Sequence, residues 1–191
     1  MLARHTIVGF FVALLPGLAS AEPPEDDTPE PTAVPTPLPS SIAGRCEALL
    51  PMMERVATAQ GVDVGLMVAV ARIESGFDPR AESRAGALGL MQVMPGTGRT
   101  FACGDLKDAE QNAQCGAKVL RKYFERYKNN AAFGLSAYHM GPLHADRAQT
   151  DARLPQNLSY VENVLRVRSR FLRAGGSCRV MAQPVGPQRA P

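Results

Sequence analysis

The sequence has no tryptophan and only three histidines, and its four cysteines form no closely spaced pair. Structural zinc sites usually carry cysteine or histidine ligands a few residues apart. The three histidines are scattered, and no carboxylates stand at metal-ligand spacing beside them. We therefore expect neither a metal nor a cofactor.

Long apolar runs are also missing from the sequence. The best candidate, residues 7–15, is cut short by Pro16 and Gly17, whereas a membrane span needs about 20 apolar residues. A basic start, a short apolar stretch and a small-residue end are typical of a secretory signal peptide. Residues 1–21 are therefore predicted to be removed before Glu22. A membrane anchor is the alternative, but we expect no stable membrane insertion after cleavage.

Basic residues are absent from residues 22–40, which contain seven prolines and five acidic residues. Such a segment buries no core and favours extended conformations, so it is predicted to be a disordered, semi-rigid linker. Residues 181–191 contain three prolines and are predicted to form a disordered tail.

The rest of the chain is basic. Removing Arg4 and the five acidic residues of the linker leaves 20 basic and 13 acidic residues, a net charge of +7. A basic domain outside the cytoplasm suits an anionic polymer or surface. Because the chain carries an export signal, nucleic acid is not the expected partner.

The four cysteines are Cys46, Cys103, Cys115 and Cys178. An even number in an exported protein predicts two disulfide bonds, and three pairings are possible. Proximity in the sequence favours Cys103–Cys115, which leaves Cys46–Cys178 to join the ends of the domain. Free buried thiols are the alternative.

The hydrophobic pattern from residue 41 to residue 180 is helical, with no convincing strand. Helices are predicted at about 51–60, from Asp63 to about residue 74, at Pro95, from Asp108 to about residue 128, at about 130–138, and from near Asn157. The prediction is a single all-α domain of about 140 residues.

Glu74 stands at the end of the predicted helix that begins near Asp63. Its neighbours one turn earlier, Val70 and Ala71, are apolar, and the end of a helix disfavours negative charge. Both effects raise the pKa of a carboxyl group and favour general acid catalysis. The alternative is a surface carboxylate that pairs with Arg72, Arg80 or Arg84.

A loop rich in glycine follows Glu74. Gln92 offers both a donor and an acceptor, as recognition of an acetamido group requires. Met91 and Met94 are soft apolar contacts, and Ser83 either bonds to the carboxyl group or caps a turn. These residues indicate a binding groove beside the acid.

The ordered motifs of this region resemble the soluble lytic transglycosylase domain, glycoside hydrolase family 23, in the goose-type-lysozyme-like superfamily. The resemblance covers about residues 48–172. The motifs are Glu74-Ser75-Gly76-Phe77, Ser83-Arg84-Ala85-Gly86-Ala87-Leu88-Gly89-Leu90-Met91-Gln92, Met94-Pro95, Gln111-Asn112 with Gly116, Ala137-Tyr138 with Gly141-Pro142, and Tyr160-Val161.

The resemblance implies a lysozyme-like helical domain with a glycan-binding groove. It also implies cleavage of the β-1,4 bond between N-acetylmuramic acid and N-acetylglucosamine. A single glutamate, Glu74, acts as acid and then as base on the muramyl C6 hydroxyl, which closes a 1,6-anhydro ring. One carboxylate suffices because the substrate supplies the nucleophile.

The resemblance also assigns substrate-side roles to several residues. Ser83 is expected near the acid, and Tyr160 is expected to hydrogen-bond near Glu74. The residues expected to line the sugar sites are Gln92, Met94 and Tyr138. Without tryptophan, sugar stacking must come from tyrosine, phenylalanine or methionine. The expected partner is the peptidoglycan glycan strand in the periplasm, and the acidic linker leaves room for service to an envelope-spanning assembly.

Two other functions stay open at the level of sequence. A hydrolytic muramidase would need a second carboxylate, for which Asp78 is the candidate, although a turn role before Pro79 is simpler. A non-catalytic wall-binding scaffold would keep the groove without turnover. The products distinguish them, because anhydromuropeptides lack the water that hydrolysis adds.

The sequence departs from the family at His139, where the pattern Ala-Tyr-Asn-x-Gly has asparagine. An imidazole replaces one amide hydrogen bond but not both, and it titrates near neutrality. If His139 stands in for that asparagine at the glycan, His139→Asn is expected to keep or raise the rate of peptidoglycan digestion. A collapse of that rate would contradict this interpretation.

Overall fold

The computed structural model describes residues 37–186. The predicted signal peptide, most of the predicted linker and residues 187–191 lie outside the described residues. The described residues contain seven α-helices and one short 3-10 helix: α1 (Ile42–Gln60), α2 (Val64–Glu74), α3 (Pro95–Thr100), α4 (Ala109–Arg126), α5 (Ala131–Met140), α6 (Pro142–Thr150), α7 (Leu158–Arg173) and the 3-10 helix (Cys178–Ala182).

The prediction of an all-α domain is confirmed. Between residues 37 and 186 no strand forms, and extended pairing is limited to two isolated bridges, Glu82–Leu88 and Leu88–Val93. Both bridges lie in the loop that joins α2 to α3, which we call the 75–94 loop. They fold this loop back on itself.

Helix α2 is the centre of the domain. Every residue from Gly65 to Ala71 is buried, so the helix is apolar on all sides, as expected of a helix inside a core. It packs against α1 and α7, while α4 packs against α1 and α5. Glu74 is the last residue of this helix.

The helix starts follow local chemistry. The side chains of Asp63, Asp108 and Asn130 accept hydrogen bonds from backbone N–H groups in the first turns of α2, α4 and α5. Such caps satisfy N–H groups that have no partner inside the helix. These three starts agree with the sequence prediction.

The predicted start of the first helix at Pro51 is wrong. Helix α1 begins at Ile42, with Ser41 as the cap, and Pro51 lies inside it. Proline removes one hydrogen bond, here the one to the carbonyl group of Glu47. Both residues are exposed, so water can replace that bond and the helix continues.

Helix α6 has no counterpart in the sequence prediction. It begins with Pro142, a residue suited to a first turn, but it buries only Ala145 and Ala148. Two small buried residues give too little apolar periodicity to signal a helix. Helix α6 packs against α5, and this contact is evident only from the tertiary structure.

The packed part of the chain extends beyond residue 180, where the disordered tail was predicted to begin. Met181 is buried, and the Arg72 side chain on α2 donates a hydrogen bond of 3.0 Å to its carbonyl oxygen. Val185 also packs against the core. The boundary predicted from composition is therefore too early, because contacts with α2 order residues that have little local preference.

Both expected disulfide bonds are present. Cys46 on α1 is bonded to Cys178 across 132 residues, and Cys103 is bonded to Cys115 across 12 residues. The first bond joins the start of the domain to its C-terminal end. No helix in residues 37–186 combines the length and the apolar character needed to span a membrane.

The disulfide bonds are expected to stabilise the domain unequally. Because a bond that closes a longer loop removes more entropy from the unfolded chain, replacing Cys46 and Cys178 by alanine should cost about 5 kcal/mol. Replacing Cys103 and Cys115 should cost about 3 kcal/mol. Urea unfolding of the oxidised proteins measures both losses. An equal or smaller loss for the Cys46–Cys178 pair would contradict the loop-length argument.

Candidate functional site

The site begins with Glu74, the C-terminal residue of α2. The helix ends here because Gly76 and Phe77 adopt left-handed backbone angles, with φ of 60° and 64°. The chain then leaves the helix axis, and the carboxyl group stays close to the core. Burial raises the pKa of Glu74 to about 7. The carboxyl group therefore carries its proton for a substantial fraction of the time at neutral pH.

Tyr160 on α7 makes the one side-chain hydrogen bond that Glu74 receives within residues 37–186. Its hydroxyl donates to Glu74 Oε1 at 2.7 Å, and Tyr160 is 4% exposed. This bond lowers the pKa of Glu74, but the effect of burial is larger. Burial and the neighbouring carboxyl group raise the pKa of Tyr160 well above its ordinary value, so the hydroxyl remains a donor.

No charged group of the described residues pairs with Glu74. None of the ion pairs found between residues 37 and 186 includes it. Arg72, one of the partners considered from the sequence, instead donates to the Met181 carbonyl oxygen. The interpretation of Glu74 as a surface carboxylate in a salt bridge is therefore wrong.

Tyr138 on α5 also lies near the Glu74 carboxyl group. Its hydroxyl donates to the Met91 carbonyl oxygen at 2.8 Å, not to Glu74. Burial and the charge of Glu74 raise the pKa of Tyr138 well above its ordinary value, so it also stays protonated. Tyr138 thus joins α5 to the 75–94 loop and forms part of the enclosure of the acid.

Asn112 holds the 75–94 loop in place. This fully buried residue of α4 accepts a hydrogen bond from Met91 N at 2.8 Å and donates to the carbonyl oxygens of Leu88 and Leu106 at 2.8 and 2.9 Å. Gly89 is required beside it, because a Cβ atom at this position would lie 2.5 Å from Asn112 Nδ2. The side-chain oxygen of Asn112 and both of its side-chain N–H groups are therefore hydrogen-bonded.

No role for Asn112 is predicted from the sequence alone. Its appearance in the Gln111-Asn112 motif was the available signal. A buried asparagine inside an amphipathic helix is otherwise indistinguishable from an exposed one in a single sequence.

Gln92 and Ser83 are both used to build the loop. Both N–H groups of the Gln92 amide are engaged, by the carbonyl oxygens of Ala81 and Gly89 at 3.1 and 3.0 Å. Only the Oε1 acceptor is left for a ligand, so the expectation that Gln92 also offers a donor is wrong. Ser83 Oγ accepts a hydrogen bond from Ala87 N at 2.9 Å. This bond closes a turn, and no hydrogen bond joins Ser83 to Glu74 in the described residues.

The two methionines of the loop differ in exposure. Met94 is 42% exposed at the start of α3 and is available for an apolar contact. Met91 is fully buried against Gly116, where a Cβ atom would come within 2.6 Å of the Met91 side chain. Met91 therefore fills the core, while Met94 remains a candidate for ligand contact.

His139 occupies the exposed end of α5. Its ring stacks on that of Tyr160, with the centroids 4.2 Å apart and the planes 21° apart. Its Nδ1 atom lies 3.2 Å from Asn157 Nδ2. Partial burial lowers the pKa of His139, so the neutral ring predominates at neutral pH. No signal in the sequence connects Asn157 with this site.

Asp78, the candidate for a second carboxylate, is engaged in a turn. Its Oδ1 atom accepts a hydrogen bond from Arg80 N at 2.9 Å, and its own N–H donates to Ser75 Oγ at 3.2 Å. The residue is exposed, and it does not influence the pKa of Glu74.

The arrangement can donate and then accept one proton at a single carboxyl group. Residues 37–186 contain no cluster of three histidine, cysteine, aspartate or glutamate side chains that could hold a metal ion.

Comparison with known proteins identifies relatives that match about half of the chain. The chain is 33% identical over 101 residues to the soluble lytic murein transglycosylase of Escherichia coli (strain K12), covering 48% of this chain and 16% of the relative. It is 38% identical over 91 residues to a transglycosylase of Enterobacteria phage PRD1, covering 47% of this chain and 34% of the relative. The chain thus corresponds to a minor part of each of these proteins.

A solved structure shares the fold. An inactive mutant of the lytic transglycosylase Slt from Pseudomonas aeruginosa superposes with a TM-score of 0.58 and 26% identity, over 71% of this chain and 28% of that one. The 70 kDa soluble lytic transglycosylase of Escherichia coli gives the same TM-score over 78% of this chain and 29% of that one. The prediction of a lysozyme-like helical fold is therefore confirmed.

The sequence profile of the Transglycosylase SLT domain matches residues 51–158, which contain Glu74, the whole 75–94 loop and both residues of the His139–Asn157 contact. The chain belongs to the transglycosylase SLT domain family.

Proposed function

We propose that the chain is a lytic transglycosylase that cleaves the β-1,4 bond between N-acetylmuramic acid and N-acetylglucosamine in peptidoglycan. The observation that carries the proposal is the environment of Glu74. Burial raises the pKa of its carboxyl group to about 7, and among residues 37–186 its single side-chain hydrogen-bond donor is Tyr160. The names of the relatives, which are lytic murein transglycosylases, support the substrate class.

In the first step Glu74 acts as the acid. Because Oε1 accepts the hydrogen bond from Tyr160, the proton of the neutral carboxyl group belongs on Oε2. Oε2 delivers this proton to the glycosidic oxygen as the bond from that oxygen to the muramyl C1 breaks. A pKa near the working pH favours this transfer. A substantial fraction of Glu74 is then protonated, and its proton is readily released.

In the second step Glu74 acts as the base. The carboxylate accepts the proton of the muramyl C6 hydroxyl while the C6 oxygen bonds to C1 and closes the 1,6-anhydro ring. Glu74 is protonated again, and no water is consumed. Tyr160 stabilises the intermediate carboxylate, since a hydrogen bond to the charged form favours that form.

Within residues 37–186, the surroundings of Glu74 favour the proposal of ring closure over hydrolysis. Glycosidases that use water or an enzyme nucleophile place two carboxyl groups about 5–9.5 Å apart across the bond. Among residues 37–186, no second carboxylate affects the pKa of Glu74, and Asp78 is held in an exposed turn. An intramolecular hydroxyl needs no such group because it is already close to C1.

The remaining parts of the proposal concern the substrate and its place in the cell. Met94, the free oxygen of Gln92 and the ring of Tyr138 are proposed to face the sugars, while Tyr160 is proposed to act through its bond to Glu74. Ser83 is proposed to act through the shape of its turn. The net charge of +7 from residue 41 onward suits the anionic cell wall. Export to the periplasm and service to an envelope-spanning assembly complete the proposal.

The first test compares the wild-type protein with Glu74→Gln on purified peptidoglycan. The wild type is expected to release 1,6-anhydromuropeptides, identified by mass, and the variant to lose about 100-fold or more of the rate because its amide donates no proton. Products heavier by one water would indicate the hydrolytic muramidase. Equal rates for the two proteins, or no release by either, would overturn the proposal.

Thermal unfolding is the measurement that checks whether Glu74→Gln is folded. Burial raises the pKa of Glu74, so the wild type loses stability as the pH rises from the unfolded value near 4.5 through about 7. The neutral glutamine has no such loss. The variant should therefore unfold at a higher temperature than the wild type at pH 8, with a smaller difference at pH 4.

A second test uses Tyr160→Phe. Removing a hydrogen bond that favours the carboxylate should raise the pKa of Glu74 further. The protonated acid then persists to higher pH, so the alkaline limb of the pH–rate profile should move upward. An unchanged or lower midpoint would show that Tyr160 does not control the protonation of Glu74.

A further inference from the structure

The ring of His139 covers one face of Tyr160. The two centroids are 4.2 Å apart and the planes are inclined by 21°, which is a stacked arrangement. His139 comes from the last turn of α5, and Tyr160 from the first turn of α7. Tyr160 is 4% exposed, whereas His139 is exposed on its outer side. The histidine therefore separates the ring of Tyr160 from solvent.

Asn157 contacts the histidine ring at its Nδ1 atom. Its Nδ2 atom lies 3.2 Å from His139 Nδ1, and its carbonyl oxygen accepts the backbone N–H of Tyr160 at 3.0 Å. Asn157 immediately precedes α7. The three residues thus form a closed set of contacts, in which Asn157 fixes both the histidine and the backbone of the tyrosine.

The Asn157 amide can serve either tautomer of the histidine. Its Oδ1 atom is buried and has no hydrogen-bond partner within the part of the chain that the structure describes. In the observed orientation the amide N–H donates to an unprotonated Nδ1. Half a turn of the amide would place Oδ1 there to accept a proton carried by Nδ1. The contact with His139 is therefore available whichever nitrogen holds the proton.

The orientation of the Tyr160 ring matters because its hydroxyl stands at the far end of the side chain. A small rotation of the ring displaces that oxygen most, and the 2.7 Å bond to Glu74 Oε1 weakens steeply as its length and angle depart from the ideal. Tyr138, the other ring beside the acid, bonds to the Met91 carbonyl oxygen and cannot replace it.

We propose that His139 is a positioning residue, whose ring, held by Asn157, keeps the Tyr160 hydroxyl on Glu74 Oε1. This inference deepens the proposed function and rests on it for its kinetic test. It differs from the interpretation based on sequence, in which His139 replaces a glycan-binding asparagine. A glycan contact would act on substrate binding, whereas positioning acts on turnover.

The experiment separates the ring of His139 from its polar group. His139→Phe keeps a flat ring but lacks Nδ1, His139→Asn keeps a polar group but lacks the ring, and His139→Ala lacks both. The matched control is His144→Ala, which removes an exposed histidine of α6 that makes no hydrogen bond to Tyr160. Each protein is assayed for kcat and KM on solubilised glycan strands, and the products are identified and quantified by mass spectrometry.

Positioning by the ring predicts that His139→Ala and His139→Asn lower kcat about tenfold with KM changed less than about twofold, because misalignment of a catalytic group costs rate rather than binding. His139→Phe should recover kcat to within about threefold of wild type, and His144→Ala should equal wild type. Full activity of His139→Asn, or a change confined to KM, would overturn the inference in favour of a glycan contact.

A double-mutant cycle tests whether His139 acts through Tyr160. In the Tyr160→Phe background the hydroxyl is already gone, so His139→Ala should lower kcat little further. An undiminished tenfold loss in that background would overturn the inference. Thermal unfolding of each protein separates a loss of kcat from a loss of folded protein.

Crystal structures of the same variants provide a readout that does not depend on activity. The Tyr160 hydroxyl should leave Glu74 Oε1 or adopt several positions in His139→Ala and His139→Asn, and should stay in place in His139→Phe. An unmoved hydroxyl in all three variants would overturn the inference. Wild-type protein that is inactive while the hydroxyl moves as expected would instead reject the proposed function and leave the positioning role supported.

Discussion

The hydrogen bond between Tyr160 and Glu74 joins residues that are 86 positions apart in the chain. The packing of the surrounding helices brings these two side chains together. Helix α2 places the carboxyl group just beyond a run of buried apolar residues, and α7 packs against α2 so that Tyr160 meets it. Burial raises the pKa of Glu74, while the tyrosine hydroxyl moderates that rise and fixes which oxygen carries the proton. One acid can therefore serve in both protonation states.

The loop beside Glu74 is held in place by buried polar bonds. Asn112 satisfies three backbone groups of the loop segments that approach α4, and Tyr138 satisfies a fourth at Met91. An unpaired backbone group in such a place would cost about 1–3 kcal/mol. The loop therefore has one well-satisfied conformation, and the Cys103–Cys115 bond fastens the adjoining segment to α4.

Much of the fold could be predicted because its signals are local. Asp63, Asp108 and Asn130 were expected to start helices, and each cap bonds to residues two or three positions ahead. The start of α1 was wrong because Pro51 is a strong local signal that solvent exposure makes tolerable. Helix α6 was missed because two buried alanines carry little periodic signal. Both errors concern tertiary surroundings that override a local preference.

The sequence by itself determined the all-α class, the choice of Glu74 as the candidate acid and the presence of two disulfide bonds, because helix periodicity, an ordered motif and an even cysteine count are all read along the chain. Only the tertiary structure decided which groups are free to act. It committed the N–H groups of Gln92 to the loop, placed Asp78 in a turn, and stacked His139 on Tyr160. Each outcome depends on which donors and faces are already occupied by residues that meet only after folding, and a single sequence does not record that occupancy.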